Sequence, residues 1–250
     1  VLPGRLLLNS PCTLSVRLSS FYFAYFTLIG AFMPYWSLYL EHQGYSKAQI
    51  GTLATVTVLT RLVAPGVWGW LADRSGRRMR WVRLGVLAEL VVWLGLLALM
   101  QAHAVPFALL VLILLGYSFF QNAILAQFEA VTLVYLQHDR ARYGVIRQWG
   151  SLGFIVAVAG LGGWFDWAGL HSLPAVMAVL AALGLWAACA VPEVQRPTGP
   201  HHTPSVWPVL RHPAVWRFFV LEGLLLLSHA PFYSFYSNYL AGYGYATGAV

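Results

Sequence analysis

Gly69-Trp70-Leu71-Ala72-Asp73-Arg74-Ser75-Gly76-Arg77-Arg78 interrupts an otherwise apolar stretch with three arginines and one aspartate. Its glycines permit a tight reversal, and Asp73 is a residue type that caps a helix N-terminus. The arginines can anchor a membrane surface or pair with acidic groups on neighbouring helices. The plainer alternative is a tight turn whose cations only mark one side of a bilayer. Residues 50–72 run into this decapeptide and residues 81–101 follow it. Each run is apolar for about the 20 residues that a membrane-crossing helix requires. Two such helices joined by a short cationic tip are expected.

The same rule finds five more spans, at residues 18–40, 105–136, 145–167, 170–191 and 214–240. The first is too long and too aromatic for a cleaved leader, so residues 1–17 are expected to form a cytoplasmic tail. Composition agrees with an all-α membrane protein. The 250 residues are 59% hydrophobic and 9% charged, and the mean hydropathy is +0.67. Soluble domains carry about 25% charged residues. Fifteen basic and eight acidic residues cannot coat a soluble globule of this size, which argues against a soluble enzyme, a nucleic-acid reader and a disordered chain. Cys12 and Cys189 lie far apart without metal-ligand spacing, so a disulfide framework and a zinc site have no support. No metal and no cofactor are expected.

The formal charge of +7 follows topology. Alternate loops hold Arg5 and Arg17, then Arg74, Arg77, Arg78, Arg80 and Arg83. Next come Arg140, Arg142 and Arg147, then Arg196, Arg211 and Arg217, thirteen cations on one side. The other side has Lys47 alone, and Arg61 lies within a span. Positive loops stay inside. A multi-pass protein of a bacterial-type inner membrane is expected, with its N-terminus in the cytoplasm and no nucleic-acid partner.

Residues 192–213 are polar and proline-rich and read as a cytoplasmic linker. His201 and His202 within it are of a type that ligates metal, but a solvated loop is the better account of them. Beyond the linker an internal repeat appears at an offset of 200. Phe32, Ser37, Tyr39, Leu40, Gly44 and Tyr45 meet Phe232, Ser237, Tyr239, Leu240, Gly244 and Tyr245. Shared aromatic bias is one source of such a match. The other is a second unit: a six-helix bundle over 18–191, the linker, and the first helix of a second bundle over 214–250. Parallel repeats about an axis along the membrane normal build one large class of transporters.

A charge near the centre of a membrane helix costs roughly 2.5–3.5 kcal/mol on insertion scales, which makes it a functional candidate. Glu129 and Arg147 sit on consecutive spans joined by a short loop, late on one and early on the next. Their offsets bring both to similar depth. A carboxylate there can exchange a proton, and a guanidinium can hold a carboxylate or hydroxyls bidentately. The alternative is a structural ion pair with Arg147 as an anchor. Arg61 is either a further binding charge or the partner of Glu89 or Glu129. Glu89 and Glu222 lie about two turns into their spans, near enough to an end to snorkel. His229 can share a proton or simply be hydrogen-bonded. Phe32, Tyr35, Trp36 and Tyr39 follow helical spacing on one face, with Pro34 among them to permit a bend. The seventh span answers with Phe232, Tyr233, Phe235, Tyr236 and Tyr239. Such walls suit stacking on a planar solute, and equally suit packing or a lipid-facing belt.

The decapeptide resembles the signature loop of the major facilitator superfamily, G-x-L-a-D-[RK]-x-G-[RK]-[RK], in pattern and in place between spans two and three. In that family the loop is part of the cytoplasmic gate, which implies gate roles for Gly69, Asp73, Arg74, Gly76, Arg77 and Arg78, with Asp73 and Arg77 helping to hold it closed. Tyr143-Gly144-Val145-Ile146-Arg147-Gln148-Trp149-Gly150 is similar to the start of the fifth helix in proton-coupled sugar and phenylpropionate permeases. Sugar permeases of that group carry a Glu on the fourth helix eighteen residues before this Arg, and Glu129 stands there. Residues 32–40 resemble the 3-phenylpropionate transporter group, and Arg61 fits it. The resemblance extends through the seventh helix of a twelve-helix fold.

It implies the N-terminal portion of a secondary transporter that is monomeric when complete. Such a protein moves a small organic solute with protons by alternating access. An aromatic or other monocarboxylate is the expected solute, with a sugar or nucleoside as the alternative. A channel would need a continuous polar stripe, and an intramembrane enzyme would need paired catalytic groups. Neither pattern is present in the sequence. A non-transporting scaffold is the remaining rival.

Overall fold

Short local signals bound the second long helix. Ser46 caps α2 (Lys47–Ser75), accepting from the Gln49 amide at 3.3 Å while Gln49 Oε1 accepts from the Ser46 amide at 2.9 Å. The other end of α2 closes on Gly76 at φ +65°, a left-handed position that glycine takes without penalty. The computed structural model describes residues 11–102, 105–137, 139–193, 208 and 211–245. Around α2 stand α1 (Pro11–His42), α3 (Arg78–Ala102), α4 (Phe107–Leu136), α5 (Arg140–Ala168), α6 (Leu173–Ala190) and α7 (Pro213–Gly242). A single 3-10 turn, Leu170–Ser172, leads into α6. All seven helices are long and apolar enough to cross a membrane.

The expected spans are recovered with displaced ends. Residues 11–17 belong to α1 and not to a tail, because helical hydrogen bonding propagates past the apolar run until something breaks it. Pro34 and Pro65 lie inside continuous helices. Of the expected linker only residues 192, 193, 208 and 211–213 are described; His201, His202 and Arg196 lie outside the described residues.

The bundle packs by a simple rule. α1 lies against α5 and α6, α2 against α4, and α3 against α4 and α6. Exchanging α1 with α4, α2 with α5 and α3 with α6 leaves this set of contacts unchanged. Successive spans alternate in direction, so the two three-helix units are inverted relative to one another. The α1–α5 seam is tight: a Cβ on Gly153 would stand 2.4 Å from the Phe23 carbonyl oxygen and 2.8 Å from Thr27 Oγ1. Small residues admit such approach where apolar burial gives helices no drive to associate.

The interior is divided into two main apolar clusters. One holds Leu28, Trp36, Trp93, Leu110, Tyr117 and Met177; the other holds Leu18, Tyr22, Tyr25, Val86, Phe128 and Ile146. Outward-facing side chains are equally apolar, with Leu62 and Trp167 each 80% exposed. A surface of this kind is stable only against lipid or a further helix layer.

α7 leans on the bundle near its C-terminal end. Asn238 donates to the Glu41 carboxylate, and the Phe235 ring approaches Gly51. The ends of α1 and α7 share one geometry at the repeat offset. Gly44 and Gly244 have φ of +88° and +84°, and the Tyr45 and Tyr245 amides return to the Leu40 and Leu240 carbonyls at 3.1 and 3.3 Å.

Candidate functional site

Arg61 on α2, Asn122 and Glu129 on α4, and Arg147 on α5 make a line of polar side chains. Asn122 and Glu129 are seven residues apart, hence on one face of α4 about 10 Å apart at 1.5 Å per residue. The pair expected from sequence comes together. Arg147 Nε stands 3.9 Å from Glu129 Oε1, and the two side chains are 30% and 36% exposed, so they meet neither in the core nor in full solvent. Tyr143, one turn before Arg147, donates to Glu129 Oε1 at 3.4 Å.

Two rings of α1 hold the guanidinium. The Arg147 Cζ lies 4.0 Å from the Phe26 ring centre and 5.5 Å from that of Tyr22. Gly150 makes the space: a Cβ there would stand 2.6 Å from Phe26 Cδ2 and 2.8 Å from Arg147 Nη1. Tyr22 is tied in turn to Thr132 by a 3.3 Å hydrogen bond. A cation over ring faces is attracted without consuming its N–H donors. The site can therefore present a bidentate fork and a carboxylate to one small polar or anionic molecule.

Arg61 pairs with neither Glu89 nor Glu129. Its Nε donates to Asn122 Oδ1 at 3.2 Å, while Asn122 Nδ2 donates to the Thr57 carbonyl at 3.0 Å and to Thr60 Oγ1 at 2.7 Å. A neutral amide thus orients an embedded cation and leaves its charge uncompensated.

Glu89 corrects the expectation of snorkelling. It is 1% exposed, because its α3 face turns into the bundle and away from the helix end. Tyr35, Trp36 and Tyr39 are also interior, at 1%, 7% and 1% exposure. Tyr35 packs edge-on against Phe165 and donates to the Val158 carbonyl at 2.8 Å; Trp36 packs edge-on against Trp93. Phe32 is half-buried and stacks on Trp36. Packing accounts for this face, and it makes no open wall. Tyr236 is exposed and stacks on Phe232 at 4.7 Å, and Glu222 and His229 are exposed on α7.

The decapeptide forms a latch. Asp73 pairs with Arg78, and Arg78 Nη1 donates to Gln127 Oε1 of α4 at 2.8 Å. Asp73 lies in the last turn of α2, so it caps no helix start, and Arg77 is exposed. Arg74 sits over the Trp70 ring, and Gly69 faces Gln127. The cap of α3 comes from Glu193, whose oxygens accept from the Met79 and Arg80 amides at 2.8 and 2.9 Å. Arg83 reciprocates, donating to the Ala188 and Val191 carbonyls at the end of α6 at 3.2 and 2.6 Å. Opposite charges thus meet the two dipole ends.

Phe26, Tyr22, Asn122, Gln127 and Glu193 were not singled out from sequence, and Tyr143 entered only as the aromatic that opens the Tyr143–Gly150 motif. Asn122 and Gln127 carried a signal, as amides within a 30-residue apolar helix. Among the described residues no group of three or more His, Cys, Asp or Glu side chains is placed to hold a metal ion.

Comparison with known proteins adds independent support. The profile described as "MFS_1 like family" matches residues 15–250. The maltose permease of Geobacillus stearothermophilus is 31% identical over 172 residues, 68% of this chain and 41% of the permease. The probable 3-phenylpropionic acid transporter of Escherichia coli K12 is 27% identical over 235 residues, 92% of this chain and 60% of the transporter. A mutant of the nucleoside transporter NupG has the same fold, with a TM-score of 0.74 at 17% identity over 90% of this chain and 57% of NupG. The chain thus spans between two fifths and three fifths of these relatives. It is a multi-pass, all-α membrane protein, and it belongs to the MFS_1 like family of the major facilitator superfamily.

Proposed function

We propose that this chain supplies the N-terminal bundle, residues 18–191, and the first helix of the second bundle, residues 214–250, of a secondary transporter. The complete protein moves a small organic solute with protons by alternating access, and it is no enzyme. The observation that carries this reading is the half-buried Glu129–Arg147 pair, held by Phe26 and Tyr143, with no hydrogen bond from the Arg147 guanidinium among the described residues. Arg147 grips the solute, Glu129 exchanges a proton against it, and Arg61 adds positive potential from α2. The latch of Asp73, Arg78 and Gln127 acts in the gate, with Gly69, Arg74, Gly76 and Arg77 shaping its turn. The thirteen-to-one loop asymmetry supports a cytoplasmic N-terminus in an inner membrane.

Arg61, which no carboxylate among the described residues pairs, and the Arg147 fork favour a monocarboxylate, and the relative described as a phenylpropionic acid transporter matches most of the chain. Relatives described as maltose and nucleoside transporters keep a neutral solute as the second reading. The test is uptake by cells expressing the complete protein from a panel of labelled aromatic carboxylates, sugars and nucleosides. Accumulation of a carboxylate that collapses with the proton gradient supports the first reading. Accumulation of no panel member favours a non-transporting scaffold.

A further inference from the structure

Glu89 is an acid that the transport scheme above leaves unused. It sits on α3 between Val86, a member of one apolar cluster, and Trp93, a member of the other. Glu89 therefore occupies the seam where the two halves of the core meet. Its Oε1 is buried with no hydrogen-bond partner, and so is Nε1 of Trp93 one turn away. No ion pair among the described residues involves it.

Its titratable neighbours are Tyr25 from α1 and Tyr117 from α4. α6 contributes small residues to the seam, with Gly184 beside Val86, and no titratable group within its buried face. Tyr25 is also within electrostatic reach of Arg61 and Glu129. Tyr25 donates to the Gln121 carbonyl at 3.4 Å, which fixes it in that position. An ionised carboxylate at the seam would be a buried charge with no counter-ion, an arrangement folded proteins avoid. A neutral carboxylic acid at Glu89 avoids that cost in this conformation.

We propose that Glu89 is a second proton-binding site of the transport cycle, which takes up its proton from cavity water when it is exposed to one side of the membrane and releases it to cavity water when it is exposed to the other. The step is an acid dissociation: the Glu89 O–H bond breaks, its electron pair stays on the carboxylate oxygen, and the proton passes to cavity water. The proposal rests on proton-coupled transport by the complete protein.

Two measurements on the complete protein in liposomes test it. Infrared spectroscopy reads the carbonyl stretch of protonated carboxyl groups at neutral pH in wild type and in Glu89→Gln. The expected result is a wild-type band, insensitive to solvent hydrogen exchange at first, that is missing in the variant. Gln keeps the size and neutrality of the acid, so the fold is preserved. Accumulation driven by a pH gradient, for the panel solute that wild type transports, is expected to fall about tenfold or more in Glu89→Gln, with solute exchange kept within about twofold. Wild-type protein without a protonated-carboxyl band overturns the proposal even if the variant fails to fold. Equal gradient-driven accumulation in variant and wild type overturns it too, and leaves the symport reading standing. A wild type that ignores the gradient overturns both.

Discussion

The Arg147 guanidinium is held by a ring as well as by a carboxylate: its Cζ is 4.0 Å from the Phe26 centroid, and its nearest approach to Glu129 is 3.9 Å from Nε. A charge seated on a ring keeps its hydrogen-bond donors for something else. Replacing Arg147 by Lys keeps the charge and loses the planar fork. Solute affinity is expected to fall about tenfold or more, a change of about 1.4 kcal/mol or greater, with thermal stability near wild type. Calorimetric titration of the purified complete protein checks this, and unchanged affinity makes Arg147 a membrane anchor.

Gly150 offers a steric test of the same seat. Alanine there places a methyl group 2.6 Å from the Phe26 ring and 2.8 Å from Arg147 Nη1. Overpacking of this kind costs about 1–3 kcal/mol. Gly150→Ala is expected to lower the melting temperature and to lose solute binding, while Gly144→Ala, where a Cβ meets nothing within 4 Å, is expected to do neither.

Much of this was legible in the sequence, and the failures share one cause. Helix number follows from the length of apolar runs, so all seven appeared. The Glu129–Arg147 pairing follows from topology, since a short loop forces consecutive helices to run back along each other. Helical facing was the blind spot. A lipid-exposed side and a core side are both apolar, so periodicity could not tell that Tyr35, Trp36, Tyr39 and Glu89 point inward. In a soluble protein the polar face would have revealed it. Partners distant in sequence, such as Glu193 for α3 and Asn122 for Arg61, depend on that facing and were hidden with it.

The latch at the cationic tip separates two adjacent arginines. Arg78 engages Asp73 and Gln127, whereas Arg77 is exposed. In a double-mutant cycle on thermal stability, Asp73→Asn with Arg78→Gln is expected to show a coupling of about 0.2–1 kcal/mol, small because Asp73 is 61% exposed. Asp73→Asn with Arg77→Gln is expected to show none. The reverse pattern would return the latch to Arg77.

Glu193 holds the start of α3 through two amides at 2.8 and 2.9 Å. Glu193→Ala is expected to cost about 0.5–2 kcal/mol, the usual value of a lost helix cap. Hydrogen exchange at Met79 and Arg80 is expected to accelerate, while α4 and α5 stay protected. Unchanged exchange at those two amides would mean that other groups cap the helix.

Coupling at Glu129 is most directly tested by one comparison in proteoliposomes of the complete protein: uphill accumulation under a pH gradient against equilibrium exchange, in wild type and in Glu129→Gln. The expected variant exchanges labelled for unlabelled solute but no longer concentrates it. A variant that concentrates solute as wild type does would remove Glu129 from coupling and reduce its contact with Arg147 to a structural ion pair.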